Sequence, residues 1–179
     1  MGARAQSLSH GLDTAADSFD ADLSDLKNLG SVNTASEAEH SIAAIEKTQS
    51  LHANSNGRNQ DLVDFVERNK QELQAMGYGQ VVDLIPAYGD TYHAYHTALS
   101  DFLNSYTKML RYLRDHSEAI NQNESAERKK YDALYGTYIK AMKRQNAAYY
   151  RHLAFSRSYS DQHPSVSAIL REQIPKETR

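Results

Sequence analysis

The sequence predicts an all-α protein, an elongated antiparallel bundle of four to five helices with coiled-coil character. Apolar side chains recur at alternating intervals of four and three residues through most of the chain, which places them along one side of a helix. Only eight glycines and three prolines occur among the 179 residues, too few for the many turns of a β protein. A chain of this length is typical of a single domain.

The first helix is predicted over residues 12–30, after a start at residues 1–11 that we expect to be disordered. Its apolar positions repeat every three or four residues and stop before Gly30, a residue type that commonly follows the last turn of a helix. The remaining positions include five aspartates and a single lysine. We therefore expect an acidic amphipathic helix here.

A second helix is predicted over residues 34–77. Thr34 followed by Glu37 has the spacing of a capping box, the arrangement that often starts a helix. Apolar side chains continue the helical period, but the polar stretch around Asn56 and Gly57 interrupts it. We expect a break or kink near residues 54–58.

Two long helices are predicted over residues 80–122 and 125–160, followed by a short terminal helix over 165–174. Pro86 is expected in the first turn of the earlier one, with a kink as the alternative if that helix begins at Gln80. Both long helices carry apolar and aromatic residues at four-three spacing, the pattern that packs one helix along another. We call the following residues the packing seam: Tyr88, Tyr92, Tyr95, Leu99, Phe102, Tyr106, Leu134 and Tyr138.

Charge is distributed unevenly along the chain, although the net charge is only −3. Residues 1–79 contain six basic and twelve acidic side chains, whereas residues 125–159 contain eight basic and two acidic ones. One interpretation places acidic and basic helices side by side within one bundle, where exposed ion pairs each contribute little. The other interpretation directs a basic surface toward anionic lipid, nucleic acid or an acidic partner.

The sequence contains little that catalysis requires. The absence of cysteine excludes disulfides, thiolate metal sites and a cysteine nucleophile. The sequence also lacks a phosphate-binding glycine loop, a Gly-x-Ser-x-Gly turn and a His-Glu-x-x-His motif. We therefore expect no enzymatic activity and no cofactor.

A di-metal site is the remaining chemical alternative, since ferritin-like bundles bind metal through Glu-x-x-His pairs. Glu37 with His40 forms one such pair, and Asp90 with His93 has the same spacing. The seam holds tyrosine, leucine and alanine where further glutamates are needed, so we expect no bound metal and keep these four residues as weak candidates. His93 and His96 lie beside the seam, either half-buried or as a surface pair.

Tyrosines alternate with basic side chains between residues 128 and 151, as in proteins that stack the bases of single strands. Because the whole chain is slightly acidic, we expect no nucleic-acid partner. We expect these tyrosines to pack between helices, with a hydrogen-bond partner for each buried hydroxyl. The basic candidates for binding a protein or lipid are Arg128, Lys129, Lys130, Lys140, Lys143, Arg144 and Arg151.

One stretch resembles a known family. The segment AERKKYDALYGTYIKAMKR (126–144), preceded by YHTALSDFLNSYTKMLRYLRDH (95–116), resembles the central part of BAR-type membrane-curvature modules. In both, a long helix carries a basic run followed by an aromatic residue, an aspartate and a further aromatic residue. The resemblance extends over residues 80–144. It implies a crescent-shaped dimer whose concave basic face binds anionic lipid through the candidates between residues 128 and 144.

The sequence as a whole favours a non-catalytic helical scaffold or interaction module that binds a protein partner or a second copy of itself. The surfaces expected in a homo-oligomer are the stretch from Tyr88 to Tyr106 and the helix over 128–155. BAR-like membrane binding is the first alternative and a ferritin-like di-metal bundle is the second. Since no apolar run approaches the roughly 20 residues of a membrane span and no signal peptide is recognisable, we expect a soluble protein, with the cytoplasm favoured.

Overall fold

The protein is helical in nearly all of the part that the structure describes. The structure is a computed structural model, and it describes Val32 and residues 34–122 and 125–162. This confirms the predicted all-α class. The predicted disordered start and the predicted helices over 12–30 and 165–174 lie outside the described residues. The described helices are α1 (Ala35–Arg68), α2 (Lys70–Ala75), α3 (Gly79–Asn121) and α4 (Ser125–Gln162).

The central element of the fold is α3, which has 43 residues and kinks at His116, where the backbone leaves helical geometry (φ −131°, ψ 18°). Both α1 and α4 pack along α3, and neither packs extensively against the other. Both run antiparallel to α3, because residues late in α3 contact the beginnings of α1 and α4, and residues early in α3 contact their later parts. The contacts that establish these directions are Glu39–Arg114 and Val63–Gly89 for α1, and Tyr138–Tyr106 and His152–Thr91 for α4.

The main apolar core lies between α1 and α3. Its buried residues are Ala38, Ile42, Ile45, Tyr95, Leu99, Leu103, Met109 and Leu110. Full burial of one such aliphatic side chain contributes about 1.5–3 kcal/mol. The side chains that α4 adds to this core are only partly buried: Tyr131, Leu134, Tyr138 and Ala148. A smaller core at the opposite end joins α1, α2 and α3 through Phe65, Val66, Leu73 and Val82.

The helix α1 begins with the capping box that the sequence predicts. The Thr34 hydroxyl oxygen accepts a hydrogen bond from the backbone N–H of Glu37 at 3.2 Å. In return, the Glu37 carboxylate accepts one from the backbone N–H of Thr34 at 3.0 Å. These bonds satisfy two of the backbone donors that every helix start leaves open.

The predicted break near residues 54–58 is wrong, because α1 continues from Ala35 to Arg68. Of the polar residues in this stretch, Ser55 faces the interior, where it is fully buried and hydrogen bonded to the Tyr92 hydroxyl. Gly57 is on the outside, with open space around its Cα. The chain turns instead after α2, where Gly77 has a φ of 87°, a conformation that favours glycine.

Two residues early in α3 show how it approaches α1. Pro86 lies inside the helix rather than in its first turn, so the helix continues past a position that donates no backbone hydrogen bond. Gly89 is buried, and a Cβ added there would lie 2.5 Å from Cγ2 of Val63. The two helices therefore approach more closely at Gly89 than any other residue type would permit.

Candidate functional site

The outer side of α4 is the candidate interaction surface. Among the α4 side chains that the structure describes, Ala141 is the one that is buried, whereas α1 and α3 contain ten and fourteen buried residues. Three tyrosines of α4 are exposed: Tyr135 by 47%, Tyr149 by 39% and Tyr150 by 66%. Large aromatic rings are normally placed where they lose contact with water. Along this one helix, aromatic surface that the described fold does not cover therefore stays in contact with water.

Residues seven apart on α4 form a row along its outer side. The row consists of Lys129, Gly136, Lys143, Tyr150 and Arg157. The residues of this helix that face α3, such as Leu134, Tyr138 and Ala141, lie on the opposite side of the helical wheel. The row remains nearly straight because seven residues complete almost two turns. We call it the outer row.

Gly136 interrupts the interior of α4 without a reason within the described fold. No atom lies within 4 Å of the position that its Cβ would take, so the close packing that requires Gly89 is absent here. A glycine inside a helix is less favourable than alanine by roughly 0.5–1 kcal/mol. The residue therefore reduces the stability of α4, and its lack of a side chain leaves a shallow gap in the outer row.

The basic charge of α4 is mostly not neutralised within the described chain. Arg128 pairs with Asp132 at 3.2 Å, and the Lys130 ammonium lies 4.9 Å from the centre of the Tyr112 ring. The other basic residues of α4 are exposed and form no ion pair with any described residue: Lys129, Lys140, Lys143, Arg144, Arg151 and Arg157.

Two acidic side chains of α1 pair with α3 instead. Glu46 contacts Arg111 and Glu39 contacts Arg114, both at 3.0 Å. The helices α1 and α4 do not pack extensively together, so acidic side chains of α1 do not neutralise the basic side chains of α4. Neutralisation between neighbouring helices occurs instead between α1 and α3. The positive charge of α4 faces outward.

The seam residues lie in or beside the interior. Tyr92, Tyr95 and Leu99 are buried. The partly buried rings of Phe102 and Tyr106 pack against Tyr138 of α4, with ring centroids 5.7 and 4.8 Å away. Leu134 also packs on the main core, and Tyr88 contacts the His152 ring at 5.0 Å.

The two pairs of metal candidates are far from each other. Glu37 belongs to the capping box, and His40 Nδ1 is 3.1 Å from the carbonyl oxygen of Ser36 on its own helix. Asp90 and His93 are exposed near the Tyr92–Ser55 contact, which the length of α1 places roughly 25 Å from Glu37. Among the described residues, no group of three or more His, Cys, Asp or Glu has the arrangement of a metal site.

A buried polar layer lies between the two apolar cores, and the sequence argument missed it as a unit. It joins His52 and Ser55 of α1, Tyr92 and His96 of α3, and His152 of α4. His96 is 2% exposed, so it is neither half-buried nor part of a surface pair with the exposed His93. The Ser55–Tyr92 hydrogen bond provides the partner that a buried phenol needs.

Burial also affects the ionisation of the histidines in this layer. Loss of hydration lowers the pKa of His96 to about 3, and the positive charges of other histidines lower it further. Burial likewise lowers the pKa of His52 and of His152. All three side chains are therefore neutral at pH 7.

Comparison with protein-family models, with curated proteins and with solved structures gives no match to this chain. None of the described helices is both long and apolar enough to cross a bilayer. The functional argument therefore depends on the chemistry of the α4 surface and of the polar layer.

Proposed function

We propose that the protein is a non-catalytic helical scaffold that self-associates, the outer row of α4 in one copy binding an acidic surface of another. The observation that carries this proposal is the exposed, unneutralised basic and tyrosine-rich side of α4. Tyrosine and arginine are the residue types most enriched where protein interfaces derive their affinity. The outer row presents both types on a long, regular helix.

Charge complementarity favours a second copy as the partner. Residues 1–79 carry a net charge of −6 and residues 125–159 a net charge of +6, from the side-chain counts above. Two α4 helices placed face to face would repel one another, whereas α4 placed against an acidic region of another copy would be attracted. A two-fold dimer can form this contact twice, once in each direction.

Gly136 supports a helical partner at this surface. Small residues allow two helices to approach closely, as Gly89 does inside the molecule. Within the described fold, Gly136 faces open space. A contact with another helix at the outer row gives this unfavourable residue a structural use.

The experiment measures molar mass against concentration by sedimentation equilibrium, at about 50 and 500 mM salt, where charge attraction is strong and then screened. We expect the wild type to associate at low salt and to dissociate at high salt. Lys143→Glu combined with Arg151→Glu is expected to abolish association. The matched control is Lys70→Glu combined with Lys108→Glu, which makes the same change in charge at exposed positions of α2 and α3. A wild type that remains monomeric at all concentrations would contradict the proposal.

Anionic membrane is the second candidate partner for the same surface, as the BAR resemblance implies. Its supporting observation is the set of six exposed basic side chains without an ion pair in the described chain. Each basic side chain near an anionic surface contributes about 1 kcal/mol. Co-sedimentation with phosphatidylserine vesicles but not with phosphatidylcholine vesicles, lost in the Lys143→Glu/Arg151→Glu variant, would favour this candidate.

A further inference from the structure

Three histidines, one from each long helix, meet in the buried polar layer. The His52 and His96 rings have centroids 4.2 Å apart, and the Tyr92 ring lies 4.0 Å from His96 and 5.5 Å from His152. Apolar cores lie on both sides of this layer along α3. The layer is therefore a place where all three long helices are joined by groups that can gain charge.

The contact between His52 and His96 depends on their protonation. The two Nδ1 atoms face each other directly at hydrogen-bonding range. A neutral imidazole carries one N–H, so one ring donates from Nδ1 and the other accepts with its lone pair. If both rings gain a proton, each Nδ1 carries a hydrogen and the contact becomes repulsive. The pair is compatible with neutral rings and is disrupted by full protonation.

His152 attaches α4 to the same layer. The Thr91 hydroxyl donates to the carbonyl oxygen of Tyr88 at 3.0 Å, so it accepts the hydrogen bond from His152 Nδ1, also 3.0 Å away. The neutral His152 ring therefore carries its hydrogen on Nδ1. Additional protonation occurs at Nε2 and places a positive charge on a half-buried ring among tyrosines.

Among the described residues, the charges that act on His96 are all positive. They are the charges of protonated His52 on α1, His93 on α3 and His152 on α4. The rings in contact with the histidines are Tyr88, Tyr92 and Tyr95, and Tyr149 packs on Tyr95 from α4. Phenols are neutral below about pH 9. Added protons therefore repel one another in a medium of low polarity.

We propose that the layer is an acid-sensitive switch that holds α1 and α4 on α3 at neutral pH and releases them when its histidines become protonated. The two apolar cores are uncharged, so opening begins at the layer and leaves the cores as the last contacts to separate. The switch differs from the surface function of α4, because it depends only on groups inside the bundle.

The sign of the pH dependence follows from the lowered pKa values. In the open state each histidine binds a proton near pH 6.5, whereas in the closed state burial lowers its pKa. The open state therefore binds more protons, and closure weakens as the pH falls below about 6.5. His96 alone changes the opening equilibrium about thirtyfold between pH 7.5 and 5.0, because its closed-state pKa is about 3.

The test measures urea unfolding and amide hydrogen exchange of the full chain at pH 7.5 and 5.0. We expect the exchange of residues 52–59 and 88–96 to accelerate at pH 5.0 more than that of the apolar core, after correction for intrinsic rates. Between pH 7.5 and 5.0, the unfolding equilibrium constant of the double variant His52→Gln/His96→Gln is expected to rise at least about thirtyfold less than that of the wild type. The control His93→Gln changes an exposed histidine on the same helix as His96. This variant is expected to retain the pH dependence of the wild type.

A measurement on the wild type keeps the proposal testable if the double variant does not fold. Histidine ring resonances followed by NMR from pH 8 to 5 report protonation directly. In the folded protein we expect the His96 resonances to remain those of a neutral ring, and those of His52 and His152 to titrate below pH 6.5. Titration of these rings near pH 6.5 without loss of structure would overturn the proposal, as would an unchanged pH dependence in a folded double variant.

Discussion

The two interfaces of α3 differ in how completely they are packed. Toward α1, the interface buries aliphatic side chains such as Ile45 and Leu103 entirely and adds ion pairs at its edge. Toward α4, the contacts are mainly between partly buried aromatic rings, and a single side chain of α4 is buried among those described. The same central helix thus forms one interface that resembles a protein core and one that resembles a half-covered surface.

This difference separates the part of the molecule that makes the fold from the part available for binding. The stability of a helix in water comes mostly from packing of its apolar side. Because α4 buries little, its remaining circumference is free to present tyrosines and cations without reducing the core. The glycines show the same division, since Gly89 is required by contact with Val63 whereas Gly136 contacts nothing in the described fold. We therefore assign the fold to the α1–α3 interface, and the partner contact that we propose to α4.

The largest expected effect is truncation of the α1–α3 core. Leu103→Ala removes a side chain that is completely buried and leaves a cavity, at a cost of about 2–5 kcal/mol. The matched change in α4, Leu134→Ala, removes a half-buried side chain and should cost roughly 1 kcal/mol. Urea denaturation measures both free energies of unfolding. Equal losses would show that the two interfaces do not differ as described.

A smaller loss is expected when the close approach at Gly89 is obstructed. Gly89→Ala places a methyl group against Val63 and should destabilise by about 1–3 kcal/mol through overpacking. Val63→Ala in the same chain removes the obstructing atom. Thermal and urea unfolding of the single and double variants should therefore show that the combined change costs less than the sum of its parts. Additive costs would contradict a direct contact.

The opposite sign is expected at the glycine of α4. Gly136→Ala should stabilise the protein by roughly 0.5–1 kcal/mol, because alanine favours helix and the position faces open space. If the outer row contacts a helix of another copy, the same methyl group should weaken self-association in sedimentation equilibrium. A gain in stability together with unchanged association would remove Gly136 from the proposed contact.

The smallest effect is expected at the edge of the α1–α3 interface. Glu46→Gln removes one partner of an ion pair in which both side chains are 54% exposed. Such pairs contribute about 0.2–1 kcal/mol and are screened by salt. Urea unfolding at 50 and 500 mM salt should show a small loss that diminishes as salt rises. A loss as large as that of Leu103→Ala would indicate that charge, rather than burial, holds α1 on α3.

The long helices were predictable because their determinants are local or periodic. The capping box at Thr34, the four-three spacing and the scarcity of glycine and proline all act within a few residues or repeat along the chain. The predicted range 80–122 agrees closely with α3, and the predicted range 125–160 with the described extent of α4. Periodicity also predicted which side of each helix faces inward.

The polar layer was missed although a signal for it was present. Thr48, His52, Ser55 and Asn59 continue the four-three spacing of the apolar residues before them. Polar residues at inward positions indicate a polar interior as readily as a break in the helix, and the break was the wrong choice. The sequence contains no local feature that pairs His52 with His96, because 44 positions separate them.

The sequence by itself determined that the described chain is helical and where α3 and α4 run, since these properties follow from spacing and local propensity. Only the tertiary structure decided that α3 is central, that Glu39 and Glu46 of α1 pair with α3, and that the charge of α4 faces outward. The physical reason is that charge pairing and hydrogen bonding between helices depend on which helices are neighbours, and spacing along one chain does not specify its neighbours.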